Sequence, residues 1–231
     1  MEGGIIAAGL GSRFKEAGIG TPKPLLKVGG RPLIAWTLAQ FQDAGINRIH
    51  IIFRSAICDE CISFVRREFP GISFRFICRD TGSSAESFLT LLGSWKAGRR
   101  ILVTTVDSIY SRGMLKRFRD AAEAGPENAL YLGVTTYIED EKPLYADVDR
   151  DGRVLSLGES RKDFVTSGAY LLQAGLAEDR NPRGYKALRA LLKELASLPE
   201  IAVHGVDLGK VLDVDRPEDL MSAERFIRNN L

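Results

Sequence analysis

Histidine is almost absent from this chain: only His50 and His204 occur in 231 residues. One falls in an apolar β-type run and the other just before the last loop, so neither is placed as a catalytic base. Cysteine is nearly as scarce, with Cys58, Cys61 and Cys78. The spacing Cys58-Asp59-Glu60-Cys61 could suit a redox pair or half a zinc site. Zinc would need two further ligands, and only Cys78, His50 and His204 remain to supply them. Asp59 to Phe69 reads as a helix with Ile62, Val65 and Phe69 on one stripe, so the pair reads as half-buried helix thiols. No run approaches the roughly 18 apolar residues of a membrane span. The start, MEGGIIAAGLGSRF, lacks the basic start, apolar stretch and cleavage site of a signal peptide, which makes a cytoplasmic protein the default expectation. A surplus of one charge is missing too. Lys and Arg number 32 against 30 Asp and Glu, a net charge of +2, which offers nucleic acid no global field. Anionic ligands would have to be met by local cations.

What remains is an ordinary globular composition, 45% hydrophobic. A domain of this length buries roughly 70–75% of its unfolded surface and needs no staple. Strand and helix patterns alternate from the start. Gly4–Ala8, Arg48–Phe53, Ser73–Ile77, Arg100–Val106 and Ala129–Val134 read as strands. Helices are expected at 32–44, 59–69, 85–95 and 111–123. This rhythm predicts βαβ units on a mostly parallel sheet. After Thr135 it changes to three short β-rich pieces, 145–149, 153–157 and 165–172, with Asp151-Gly152 as a hairpin turn. A helix at 185–195, a strand at 201–206 and a helix at 217–229 close the chain. The expected fold class is α/β, a Rossmann-like three-layer sandwich with an inserted β-rich acceptor segment. One domain spans 1–231, its nucleotide-binding part about 1–134 and its acceptor part about 135–231.

The first strand runs into Ala8-Gly9-Leu10-Gly11-Ser12-Arg13-Phe14, followed by Gly20-Thr21-Pro22-Lys23-Pro24-Leu25. Loops at the C-terminal ends of parallel strands bind ligands. Glycines there let backbone N–H groups approach a polyanion, and Arg13 and Lys23 add full positive charge. A Walker loop is excluded, because no Gly-Lys-Ser/Thr follows the glycines. A dinucleotide fingerprint is excluded as well: Phe14 stands where its third glycine belongs, and the second strand ends in Phe53-Arg54 rather than in an acid. The segment Ala8–Val28 instead resembles the signature of the nucleotidyltransferase family that includes the sugar-1-phosphate nucleotidylyltransferases, G-x-G-T/S-R followed by P-K-x-L/M. Ser12 takes the Thr/Ser place, and Lys23 falls ten residues after Arg13, as in the family. In place of the family's frequent Pro-Leu-Thr, the gap here carries Glu16-Ala17-Gly18. The resemblance implies nucleotide contacts along Ala8, Gly9, Leu10, Gly11 and Ser12. It places Arg13 on the β- and γ-phosphates and Lys23 on the α-phosphate.

Further segments follow in the family's order. Gly82-Ser83-Ser84-Ala85-Glu86 can be read as a capping box with Ser83 as N-cap. It also resembles the family's Gly-Thr-Ala segment, which makes Gly82 and Ser83 nucleotide contacts. Asp107 ends an apolar strand; it could cap a helix, or match the family's Mg²⁺-binding Asp. Asp213-Val214-Asp215-Arg216-Pro217-Glu218-Asp219-Leu220 resembles the ending D-x-D-T-P-E-D-L, with Arg216 for Thr. Asp213 and Asp215 would share one strand face. Either could be the second metal ligand, and Asp215 could equally be an N-cap. On the acceptor side the resemblance implies Glu159 for sugar hydroxyls, Lys162 or Arg161 for the acceptor phosphate, and Gly168 in an x-Gly-x-Tyr strand. A plain meander with solvated charges fits Arg161 and Lys162 equally well.

The chemistry implied is transfer of a nucleotidyl group from an NTP to a phosphorylated small molecule such as a sugar 1-phosphate. Such an acceptor is mostly dianionic at pH 7 and needs no general base, which agrees with the lack of histidine. Cations and positioning would carry the reaction. Two other functions fit the same loop: a cytidylyltransferase for a non-sugar alcohol phosphate, and a nucleotidyltransferase of cofactor synthesis. A silent nucleotide-sugar-binding domain is the rival from another class. Base, acceptor and oligomeric state stay open.

Overall fold

The computed structural model describes residues 1–138 and 143–231. In chain order the elements are β1 (Glu2–Ala7), α1 (Ser12–Glu16), β2 (Lys27–Val28), β3 (Arg31–Pro32), α2 (Leu33–Asp43), β4 (Arg48–Phe53), α3 (Cys58–Glu68), β5 (Ser73–Cys78) and α4 (Ser84–Leu92). There follow β6 (Arg100–Thr105), β7 (Ser108–Tyr110), α5 (Met114–Ala124), β8 (Leu130–Thr135), β9 (Tyr145–Val148), β10 (Val154–Gly158) and β11 (Phe164–Gln173). The last are α6 (Leu188–Ser197), β12 (Val203–Asp207), β13 (Val211–Asp213) and α7 (Asp219–Asn230). Among the described residues no helix is long and apolar enough to cross a membrane.

The main sheet runs β10-β9-β11-β6-β1-β4-β5, with β8 on β11 and β12 on β8. β1 pairs in parallel with β4 and β6, and β4 with β5, as the βαβ rhythm implied. The β8 strand departs from that rhythm. It joins through the ten-residue β11, which runs antiparallel to β6, β8 and β9, so the sheet is mixed. Alternation along β1 sends successive side chains to opposite faces. Ile5 and Ala7 pack with α2, α3 and α5 residues such as Leu38, Val65 and Phe118. Ile6 and Ala8 pack on the other face with Phe88 of α4 and Leu191 and Leu195 of α6. These faces make the three layers.

A third apolar cluster positions the cleft. Phe14 of α1, Leu26, Val28, Ile109, Leu212, Val214 and Phe226 of α7 pack together beyond the C-terminal ends of the parallel strands. It anchors a small ribbon that the sequence pattern did not show, in which β13 pairs antiparallel with β7 and Asp213 lies opposite Ser108.

The cysteines differ from expectation. Cys58 is joined to Cys78 across the α3–β5 gap, Cα to Cα 5.8 Å, while Cys61 alone is a free, buried thiol. Burial, and then the charge of Glu60, pushes that thiol up to about 12. The CxxC spacing thus hides a tertiary pairing, because Cys58 heads α3 beside the end of β5 while Cys61 points into the core.

Candidate active site

Three connecting hollows form a cleft beyond the C-terminal ends of the parallel strands. The inner hollow, on the side expected from the sequence to take the nucleotide, is bounded by Ala8, Gly9, Leu10, Lys23, Arg54 and Thr81–Ser84. The middle hollow is bounded by Ser84, Asp107, Thr166, Gly168, Tyr170 and Arg189. The outer hollow is bounded by Arg13, Tyr137, Thr166, Asp213, Asp215 and Arg216. Asp107 and Ser84 are shared by the first two, and Asp213, Asp215 and Thr166 by the last two.

At the centre Lys23 holds two carboxylates. Its Nζ donates to Asp107 Oδ2 at 2.6 Å and to Asp215 Oδ1 at 2.5 Å. Arg13 lies 3.7 Å from the other oxygen of Asp215. These residues are 84 and 192 positions from Lys23, and the fold brings them together in two steps. The Asp107 carbonyl accepts the Val214 N–H, which lays Asp213 and Asp215 beside the end of β6. Pro22 and the short turn at Lys23–Leu25 then present the lysine from below. Burial pushes the Lys23 ammonium down, but Asp107 and then Asp215 overrule it and hold it above the ordinary lysine range. Burial likewise pulls Asp107 up, and the Lys23 charge reverses this and keeps it below the usual carboxylate range.

Asp213 behaves differently from Asp215. Ser108 Oγ donates to it at 2.5 Å, and Thr105 Oγ1 lies 2.8 Å from that serine. Asp213 itself is exposed at the end of β13, yet desolvation and then the charges of Asp107 and Asp215 push it up to about 7. Neither residue caps α7. The Asp219 carboxylate instead accepts the backbone N–H groups of Asp215 and Arg216 at 2.8 and 2.7 Å, which fixes the turn and leaves Asp215 directed at Lys23.

The glycine loop lies against this centre. Gly11 adopts φ +60°, a left-handed conformation that favours glycine, and its missing Cβ would touch Lys23. At Gly9 no protein atom lies within 4 Å of a built Cβ, so the loop backbone opens directly onto the cleft. Ser12 begins α1 beside the loop. On the opposite wall, Ser83 is the N-cap of α4: its Oγ accepts the Glu86 N–H at 3.1 Å and donates to the Tyr185 carbonyl. Glu86 reaches back to the Gly82 N–H at 2.7 Å. Gly82 and Ser83 therefore line the hollow with their main donors already engaged, which is the capping reading realised at the cleft wall.

The acceptor-side expectations separate. Gly168 lies in the middle hollow at φ +75°, in the bulge of β11, where any Cβ would overlap Ser108 and Thr105. Glu159 is exposed and borders none of the three hollows. Lys162 also lies outside them and donates to Asp147 at 2.5 Å. Sequence reasoning missed Arg54, Thr166 and Arg189, while Tyr170 is the tyrosine of the expected x-Gly-x-Tyr strand. Arg54 carries a faint signal as a cation ending the second strand, and it pairs with Asp80 at 3.1 Å. Arg189 lies in an unremarkable amphipathic helix with no signal at all.

A mixed α/β sheet with a glycine loop, two loop cations and facing carboxylates at its strand ends defines a nucleotide-binding domain of transferase type. Residues 3–162 match the MobA-like NTP transferase domain, and the chain belongs to that family. It is 27% identical over 236 residues to a bifunctional IPC transferase and DIPP synthase of Archaeoglobus fulgidus, covering 98% of this chain and 44% of that protein. A glucose-1-phosphate cytidylyltransferase of Salmonella typhimurium is 30% identical over 121 residues, 51% of this chain and 44% of that protein. The chain thus spans about half the length of the curated relatives it matches. Among solved structures, the inositol-1-phosphate CTP transferase from T. maritima superposes with a TM-score of 0.80 at 18% identity, covering 97% of this chain and 96% of that one.

Proposed function

We propose that the protein transfers a nucleotidyl group from a nucleoside triphosphate to a phosphorylated small molecule and releases pyrophosphate. The observation that carries this reading is the Lys23 bridge to Asp107 and Asp215, with Arg13 alongside, at the mouth of the glycine loop. A phosphate dianion needs no base to attack the α-phosphorus, and the cleft offers no histidine. The barrier lies in bringing two polyanions together and in stabilising the leaving pyrophosphate. Lys23 faces the α-phosphate and Arg13 the pyrophosphate. Gly9 and Gly11 let the loop backbone approach the phosphate chain, and Gly82 and Ser83 wall the nucleoside.

The donor set fits Mg²⁺. Asp107 and Asp215 are hard oxygen ligands that already converge on one cationic centre, and Mg²⁺ needs only one or two carboxylates beside phosphates and water. Among the described residues no group of three or more His, Cys, Asp and Glu is arranged to hold a metal ion. Asp107 and Asp215 would hold Mg²⁺, and Asp213 stands beside them. When bound, the ion supplies charge neutralisation at the reacting phosphates.

The acceptor in this reading is a sugar 1-phosphate or a related polyol phosphate. Cytidine as the base is a second reading, favoured by the relative named for cytidylyl transfer. A cytoplasmic setting, where nucleoside triphosphates are made, suits these substrates. The test is a grid of ATP, CTP, GTP and UTP against glucose 1-phosphate, inositol 1-phosphate and glycerol 3-phosphate, read as pyrophosphate with and without Mg²⁺. Mg²⁺-dependent, acceptor-dependent release is the expected result. Nucleotide binding without turnover in every cell of the grid would leave a silent binding domain instead.

A further inference from the structure

Neither residue expected to hold the acceptor phosphate, Lys162 or Arg161, lines the cleft, and Lys162 is paired with Asp147. The middle hollow, meanwhile, borders three carboxylates, Asp107, Asp213 and Asp215. Lys23 is already engaged between Asp107 and Asp215, so a phosphate dianion entering the hollow needs a further cation there. Among the described residues lining that hollow, Arg189 is the one Lys or Arg.

Its placement is built rather than incidental. Ser83 Oγ donates to the Tyr185 carbonyl at 2.8 Å, and Ser84 Oγ accepts the Leu188 N–H at 2.9 Å. These two bonds fasten the start of α6 to the start of α4. Leu188, Leu191 and Leu192 are buried against the sheet, so the helix cannot rotate without exposing them. Arg189, the second residue of α6, is thereby held at the rim of the hollow. Its charge also acts on the buried Tyr170 phenol, which burial, Asp213 and Asp107 push up and Arg189 partly restrains.

An acceptor has to reach the α-phosphorus beside Asp107 and Asp215, and the middle hollow borders both. Leu144, Leu188 and Leu192 give this hollow apolar patches, and Ser84 and Thr166 give it hydroxyls. That mixture suits a carbon ring or chain bearing hydroxyl groups.

We propose that Arg189 binds the acceptor's phosphate monoester in the middle hollow and so selects phosphorylated acceptors, an inference that rests on the nucleotidyl-transfer reading above. An oxygen of the acceptor dianion forms the new bond to the α-phosphorus. The bond from that phosphorus to the α–β bridging oxygen breaks, and pyrophosphate leaves with the electron pair. No proton moves.

The test compares wild type, Arg189→Ala, Arg189→Lys and Lys162→Ala with the acceptor that the grid identifies among glucose 1-phosphate, inositol 1-phosphate and glycerol 3-phosphate. In Arg189→Ala the acceptor KM rises about 30-fold or more, the scale of a lost hydrogen bond to a charged group. The KM for the triphosphate stays within about twofold, and Arg189→Lys recovers part of the loss. Calorimetric titration of the same acceptor into the triphosphate-loaded protein without Mg²⁺ reads the same loss without turnover. An unchanged acceptor KM in a folded, active Arg189→Ala protein overturns the proposal, as does a rise seen only in Lys162→Ala. A wild type that releases no pyrophosphate with any pair removes the transfer reading and this inference together.

Discussion

The two sides of the cleft, nucleotide and acceptor in the proposed reading, are assembled in opposite ways. The nucleotide side is nearly continuous in sequence: Ala8 to Lys23 supply the loop and both cations, and Gly82 to Ser84 supply the facing wall. The acceptor side draws Thr166 from β11, Arg189 from α6 and Asp213 from β13, with no two of them neighbours in the chain. A phosphate chain can be gripped by one glycine-rich turn, because backbone dipoles come in sequence. A small polyol has no such repeat, and its contacts must come from wherever the fold brings side chains.

The sharpest way to break this contrast is at Asp107, one of the residues that both sides share. Asp107→Asn keeps the size of the side chain but loses the charge that holds a hard cation, so Mg²⁺-dependent pyrophosphate release should vanish. Activity surviving at ordinary Mg²⁺ would make Asp107 an architectural residue. Next comes Lys23→Ala, expected to cut turnover at least about 100-fold, the scale for a lost electrostatic stabiliser. Lys23 is not a solvated loop cation: its side chain is 9% exposed and pairs with the half-buried Asp107, so its loss should also lower the melting temperature. Added Mg²⁺ should restore part of that fall. A melting curve indifferent to both changes would mean the carboxylates do not depend on a cation.

A middle-sized effect is expected on the acceptor side. Gly168→Ala meets both a positive φ and the Ser108 and Thr105 hydroxyls, and should cost about 1–3 kcal/mol of stability. Because the bulge shapes the middle hollow, the acceptor KM should rise more than the triphosphate KM. An equal rise in both would blur the division into two sides.

How far the sequence showed this molecule follows the same line. The β1 loop, Arg13, Lys23, Asp107 and the Asp213–Asp215 pair were legible as types at set spacings, and the fold gathers Arg13, Lys23, Asp107 and Asp215 at one point. The parallel strands β1, β4, β5 and β6 were legible from periodicity. The antiparallel entry of β11 between β6 and β8 was not, because an apolar strand reads alike in either direction. The β7–β13 ribbon escaped notice because each strand has only three residues. The Cys58–Cys78 link and Arg189 depend on distant partners that no local pattern carries.

The last expected effect belongs to neither side of the cleft and serves as a control. At the far end of β4, His50 stacks on Trp95 with ring centroids 4.0 Å apart, and its Nδ1 lies 2.6 Å from Ser94 Oγ. Burial, then Arg75, lowers its pKa to about 4. The unfolded chain takes up that proton near the ordinary histidine value of about 6.5. Between the two values the unfolded state binds more protons, so stability falls as pH drops through this window and is fully present above it. The urea midpoint of wild type should fall towards that of His50→Gln between pH 7 and pH 4.5. Parallel curves for the two proteins would show that His50 does not titrate in this way.

Ser83 and Ser84 stand side by side in the chain, and Ser84 borders both the inner and the middle hollow. Their bonds to Tyr185 and Leu188 make the wall of one compartment the fastening of the other. In thermodynamic terms the two substrates are linked ligands. If filling the first compartment steadies this seam, each substrate should bind better in the presence of the other. Reciprocity requires the two enhancement factors to be equal, whichever substrate is added first.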